Sequence, residues 1–294
     1  MSEQHVKALL ARHRETVERA LLDLLPPCPE SARIIDEAMR YSLLGGGKRL
    51  RPALVLTTAE ALGGEIENVL PAACAIEMIH TYSLIHDDLP CMDDDELRRG
   101  RPTCHVKYGD GLATLAGDAL SNAAFQVIAE HTKDADLVRG LILELARAAG
   151  CEGMIGGQVL DVISEGEEPR LERVEEIHRM KTGALFIAGL RLGAVGSRAS
   201  SEILERFTEY GRKVGLAFQI MDDILDLVSD AETLGKTAGK DLEQDKMTWP
   251  ACVGLDASRM HVRKLVHEAQ ELIAPHDARG DLRALAAFIH DRVN

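Results

Sequence analysis

The chain has 294 residues, of which 46% are apolar and 28% charged, the balance of an ordinary globular protein. Its 34 basic and 48 acidic side chains leave a formal charge of −14, which argues against non-specific nucleic-acid binding and against a basic membrane-surface patch. Aromatics are only 3%, so Ala and Leu must fill the core, and both are good helix formers.

Taken in chain order, the apolar periodicity predicts helices at about 3–24, 31–43, 50–62, 66–88, 110–131, 135–150, 152–164, 171–193, 200–229, 259–274 and 279–292. Turn chemistry separates them, as at Pro26-Pro27, Gly45-Gly46-Gly47, Gly63-Gly64 and Gly109-Asp110-Gly111. There is no strand-like alternation, no Pro/Ser-rich linker and no internal repeat, so the expectation is one all-α domain over residues 1–294. Residues 112–129 and 183–195 are apolar over most of the helix surface, as in a central helix or one at a subunit interface. Cys28, Cys74, Cys91, Cys104, Cys151 and Cys252 form no Cys-x-x-Cys pair, which fits a reducing compartment better than zinc or a disulfide framework. No signal-peptide core and no apolar run of about 18 residues is present, so a cytoplasmic protein is expected.

Chemistry concentrates in three stretches. The first is Asp87-Asp88-Leu-Pro-Cys-Met-Asp93-Asp94-Asp95, at the end of the apolar run from Ala72 to Ile85. Five crowded carboxylates repel one another unless a cation compensates. An isolated acidic run is usually a solvated turn; this one follows an apolar helix and is followed at once by Arg98-Arg99. The second is Gln219-Ile-Met-Asp222-Asp223-Ile-Leu-Asp226, in which Gln219, Asp222 and Asp226 share one helix face among apolar neighbours. Acids in such a setting are costly unless paired or metal-bound. Oxygen-only ligand sets favour Mg²⁺, typically held by one or two carboxylates plus substrate phosphate. The third is Gly45-Gly46-Gly47-Lys48-Arg49-Leu50-Arg51-Pro52, a glycine loop opening on a cationic helix entry suited to gripping a diphosphate. His80 lies seven residues before Asp87, on the same helix face two turns away. It is either a core histidine or a donor to an anion near the carboxylates.

These stretches resemble the trans-prenyl diphosphate synthases, and more narrowly the bacterial farnesyl diphosphate synthases, over about Ala38 to Pro250. The first aspartate run looks like that family's first motif in its version with two extra residues, and Phe218 to Asp226 looks like its second. Leu97-Arg98-Arg99-Gly-Arg-Pro-Thr, Lys181-Thr182-Gly and Gly235-Lys236 to Lys246 match further family blocks. The resemblance implies an isoprenoid synthase-like helical bundle around a central cavity, usually a homodimer, with three Mg²⁺ per site. By the same resemblance, Asp87, Asp88 and Asp93 would face Asp222, Asp223 and Asp226 as metal ligands. Arg98, Lys181, Lys236 and Lys246 would hold the allylic diphosphate. Lys48, Arg51, His80 and Arg99 would hold isopentenyl diphosphate, and Thr182 and Gln219 would turn oxygen dipoles toward the carbocation.

Product length is read from Tyr82 and Ser83. Ideal helix angles put Ser83 about 40° and Tyr82 about 140° from the Asp87 direction, which leaves geometry ambiguous. An aromatic five residues before the first motif resembles the C15 pattern, so farnesyl diphosphate is expected, with geranylgeranyl diphosphate as the alternative. A terpene cyclase needs no second diphosphate site, which Lys48, Arg51 and His80 argue against. A non-catalytic partner subunit is expected to lose metal ligands, and both motifs are intact; absence of turnover with paired diphosphates would favour such a partner or a helical scaffold that only chelates Mg²⁺.

Overall fold

The computed structural model describes residues 3–228 and 247–290. Among them the chain is almost entirely helical: α1 (Glu3–Leu24), α2 (Arg33–Leu43), α3 (Leu50–Ala61), α4 (Ile66–Asp87), α5 (Cys104–Tyr108), α6 (Asp110–His131), α7 (Ala135–Ala149), α8 (Met154–Ile163), α9 (Leu171–Ile177), α10 (Ala184–Gly196), α11 (Ser201–Val228), α12 (Trp249–Val253), α13 (Leu255–Ile273) and α14 (Asp281–His290). A π-helical turn, His178–Gly183, joins α9 to α10. No described helix is long and apolar enough to cross a membrane.

α4 is the hub. Every residue from Pro71 to Ile79 is buried, so this helix is wrapped on all sides, by α3, α6 and α10 among others. Its apolar side chains join α2, α6 and α7 in one core cluster. A second cluster gathers α11, α13 and α14, locked where the Tyr210 hydroxyl donates to Leu282 O at 2.7 Å. Asp277 caps α14 by accepting from Leu282 N and Arg283 N, which satisfies first-turn donors that would otherwise be buried and unpaired.

The structure departs from the sequence reading in four places. The segment 171–193 is not one regular helix, because the π turn inserts an extra residue into it. α13 begins four residues early, at Leu255. The short helices α5 and α12 span five residues each, too few to show a period. Leu97–Arg98 and Arg101–Pro102 form a small antiparallel hairpin. Its turn residues Arg99 and Gly100 both have positive φ, 54° and 72°, the geometry that a two-residue hairpin requires; an Arg-Gly turn hides this behind a bulky side chain.

Candidate active site

Asp87 is the last residue of α4, and the chain folds straight back on it: Asp93 N donates to Asp87 O at 2.8 Å. Residues Asp88 to Met92 form this return loop and place the Asp93 backbone against the end of the helix. Burial pushes the Asp87 carboxyl up to about 6; the Asp93 and Asp88 charges add to the rise, while Lys181 and Arg98 oppose it. Asp88 was expected to bind metal. It is buried and accepts from Arg98 Nε at 2.7 and 2.9 Å. Arg98 also reaches Asp95, at 3.4 Å.

A cavity of about 480 Å³ opens beside Asp87. His80, Tyr82, Ser83 and His86 of α4 line it, with Arg51 of α3, Gln158 of α8, and Lys181 and Thr182 of the π turn. Both product-length candidates therefore lie on its wall. Tyr82 sits edge-on to the His86 ring, with centroids 5.6 Å apart. The π turn is brought close by Gly157 of α8: a Cβ there would lie 2.1 Å from Lys181 N, so no larger residue fits without moving the turn. Lys181 Nζ lies 2.5 Å from Asp161 Oδ2.

The second motif lies on α11, which packs on the π turn. Gln219, Asp222 and Asp226 are partly buried and stand off the cavity wall. Asp222 is close enough to Arg51 to favour its charged form. Asp223, expected as a metal ligand, is buried, and its Oδ2 accepts from Trp249 N at 2.8 Å and pairs with His178 Nε2 at 2.9 Å. Gln219 donates its amide N–H toward Asp223 Oδ1 at 3.5 Å, rather than presenting only an oxygen.

Around His80 lies a cationic cluster. His80 is held well below its ordinary value, first by burial and then by Arg51, Arg99, Arg98 and Arg49. It is therefore a neutral hydrogen-bonding group among four guanidinium groups. The same crowding lowers Arg51 and Arg99, after burial, and Glu77 is the carboxylate that opposes it in both. Arg99 reaches across to donate to Gly46 O, which latches the hairpin onto the glycine loop. Lys48, exposed, stands at the end of that loop. Beneath it Arg49, 2% exposed, donates to Glu77 Oε1 and to Leu43 O, each at 2.7 Å. Lys236 and Lys246 lie outside the described residues.

The sequence reading missed Asp161, His178, Trp249 and the Arg49–Glu77 pair. Gln158 and Asp161 at i and i+3 share a helix face, a signal that the sequence does carry. Among the described residues, no three His, Cys, Asp or Glu side chains converge as a metal cage. The crowded carboxyls at Asp87 and Asp93 fit a cation held between a few carboxylates and substrate phosphates, as Mg²⁺ is.

The polyprenyl synthetase family profile matches residues 32–285. The chain is 48% identical over 290 residues to the chloroplastic heterodimeric geranylgeranyl pyrophosphate synthase large subunit 1 of Arabidopsis thaliana, covering 95% of this chain and 77% of that one. An apo FPP/GFPP synthase from Zymomonas mobilis superposes with a TM-score of 0.87 at 37% identity, covering 97% of this chain and 99% of that one. A geranyltransferase from Helicobacter pylori, complexed with magnesium and isoprenyl diphosphate, superposes with a TM-score of 0.86 at 32% identity, covering 100% and 98%.

Proposed function

Because the chain belongs to the polyprenyl synthetase family and is a prenyltransferase, we propose that it condenses isopentenyl diphosphate with dimethylallyl and then geranyl diphosphate, with Mg²⁺ and mainly to a C15 product. The observation that carries this reading is the meeting at His80 of a cavity edged by Asp87 and the charges of four arginines, of which Arg51 also lines that cavity.

In this reading Lys48, Arg51, His80 and Arg99 hold isopentenyl diphosphate by charge and hydrogen bonds. Lys181, with Lys236 and Lys246, holds the allylic diphosphate over Asp87, Asp93, Asp222 and Asp226. Those carboxylates would hold up to three Mg²⁺, which would supply Lewis-acid stabilisation of the departing diphosphate. Thr182 faces the cavity where the allylic cation develops. Fixing both substrates converts a bimolecular encounter into an oriented attack. The apolar wall, including Met154 and Leu185, keeps water from the cation.

The C15 limit rests on Tyr82, which lies about 7.5 Å along the helix axis from Asp87. One isoprene unit adds about 5 Å of chain, so the tail reaches this level after one or two additions. A second reading, a C20 product, is favoured by the name of the Arabidopsis relative, a geranylgeranyl pyrophosphate synthase subunit. We also read the chain as a cytoplasmic homodimer; exposed Leu115 on α6 is apolar surface that a second copy would cover.

The test is incubation with dimethylallyl and labelled isopentenyl diphosphates, followed by chromatography of the dephosphorylated alcohols. Farnesol as the main product, shifting to a C20 alcohol in Tyr82→Ala, supports the reading. A wild-type C20 product would establish the second reading, and no condensation at all would refute both.

A further inference from the structure

From its geometry we infer that Asp223, in the middle of the second aspartate motif, is a positioning residue: it clamps the π turn that presents Lys181 and Thr182 to the cavity. The inference rests on the functional reading above but assigns Asp223 a different task from its neighbours Asp222 and Asp226.

The geometry begins with the turn itself. A π turn holds one more residue than an α-helical turn, so it rotates every following side chain by about 100° relative to an uninterrupted helix. Lys181 and Thr182 lie in this turn and line the cavity. Their direction therefore depends on keeping the extra residue in place. Close packing holds the turn from two sides. A Cβ at Gly157 of α8 would lie 2.1 Å from Lys181 N, and a Cβ at Gly215 of α11 would lie 3.1 Å from Gly183 Cα.

Hydrogen bonding fixes the start of the turn. His178, its first residue, is buried and pairs through Nε2 with Asp223 Oδ2 at 2.9 Å. The same oxygen accepts the Trp249 backbone N–H at 2.8 Å. The Trp249 indole stacks near-parallel to the His178 ring, with centroids 6.4 Å apart. Asp223 is 7% exposed, and its second oxygen faces the Gln219 amide at 3.5 Å. One carboxylate thus ties together α11, the π turn and the start of α12. An oxygen already accepting two short hydrogen bonds is poorly placed to bind a cation as well. Asp222 instead acts electrostatically on Arg51. Adjacent residues on a helix point about 100° apart, which is why one aspartate serves the substrate side and the next serves the scaffold.

The clamp predicts a pattern that metal ligation does not. In Asp223→Asn the amide oxygen still accepts from both His178 and Trp249, so the clamp survives without the charge. In Asp223→Ala it is lost. The experiment compares these variants with His178→Ala and the double variant Asp223→Ala/His178→Ala. It reads Mg²⁺ half-saturation and the KM of each substrate. It also reads, without turnover, the calorimetric affinity for inorganic pyrophosphate with Mg²⁺.

Asp223→Asn should stay within about threefold of wild type in all readouts. Asp223→Ala and His178→Ala should each raise the allylic KM and weaken pyrophosphate about tenfold, the worth of a hydrogen bond to a charged group, while leaving the isopentenyl KM in place. The double variant should be no worse than Asp223→Ala, because the two residues act as one unit. A tenfold rise in Mg²⁺ half-saturation in Asp223→Asn would overturn the inference, as would losses in the double variant that multiply. If Asp223→Ala fails to fold, Asp223→Asn and His178→Ala still decide. If wild type shows no condensation, the functional reading fails separately, and the pyrophosphate affinities alone decide the clamp: equal affinities across the variants would sink it.

Discussion

The pair Arg49–Glu77 sets up a sharp test of how the cationic pocket is held together. Both side chains are almost wholly buried, at 1% and 3% exposure, with Arg49 Nη1 2.7 Å from Glu77 Oε1. Arg49 also sits in the left-handed region, φ 49°, which a non-glycine residue adopts only where its surroundings hold it. Replacing Glu77 by Gln keeps the shape and one acceptor but leaves the buried guanidinium uncompensated. Breaking one side of a buried ion pair costs about 3–5 kcal/mol. Glu18, 3.6 Å from Arg49 Nε and one-third exposed, offsets part of this, so the lower half of that range applies. At about 2.1 cal/mol/K per residue, 294 residues unfold with an entropy near 0.6 kcal/mol/K. The expected fall in Tm for Glu77→Gln is then about 5–7 °C by calorimetry. Replacing both members by apolar residues, Arg49→Met with Glu77→Leu, should recover most of it. Inorganic pyrophosphate should stabilise Glu77→Gln more than wild type, because an anion in the pocket takes over part of the role of Glu77. A Tm within 2 °C of wild type in the single variant would refute the claim that Glu77 compensates the cluster.

Three further outcomes follow from the site. Asp87→Ala or Asp222→Ala should each lower kcat by about 10³ or more, the scale of losing charge stabilisation in a closed site, and excess chelator should abolish turnover; full activity in chelator would rule out the metal role. Lys48→Ala or His80→Ala should weaken isopentenyl diphosphate by about 1.5–3 kcal/mol with little change in allylic KM, and equal rises in both KM values would undo the assignment. His13, 3% exposed, is held down at about 4, by burial first and then by Arg12, against a pull from Asp281. The unfolded chain takes up that proton near 6.5, so stability is full above this pH and declines as pH falls toward 4, by at most about 3 kcal/mol. Urea midpoints of wild type and His13→Gln from pH 7 to 4.5 should converge, and parallel curves would count against the effect.

The sequence made legible what depends on neighbours along the chain. Asp87 with Asp93, and Lys48 with Arg51, stand within a few residues of one another, and periodicity was enough to place them on helix ends and faces. It could not show which acids are already spent. Asp88 finds Arg98 across the hairpin, and Asp223 finds His178 and Trp249 from 45 and 26 residues away. In sequence these aspartates are indistinguishable from Asp87 and Asp222. The π turn was likewise hidden, because an extra residue in one turn barely disturbs an apolar pattern as dense as that of 183–195. The opposite held for Tyr82 and Ser83. Ideal angles could not choose between them, and in the structure both reach the cavity, since a broad opening accepts side chains from more than one direction.

The clustering of Arg49, Arg51, Arg98 and Arg99 on a chain of net charge −14 also shapes how a substrate arrives. At long range a diphosphate meets a repelling field; within the last few ångströms it meets a strong attractive one. At physiological ionic strength the screening length is about 8 Å. Salt therefore quiets the distant repulsion while leaving the half-buried Arg51 and Arg98 less screened than exposed Arg99. Encounter should quicken as ionic strength rises from very low values, the reverse of the behaviour of a uniformly basic phosphate-binding protein.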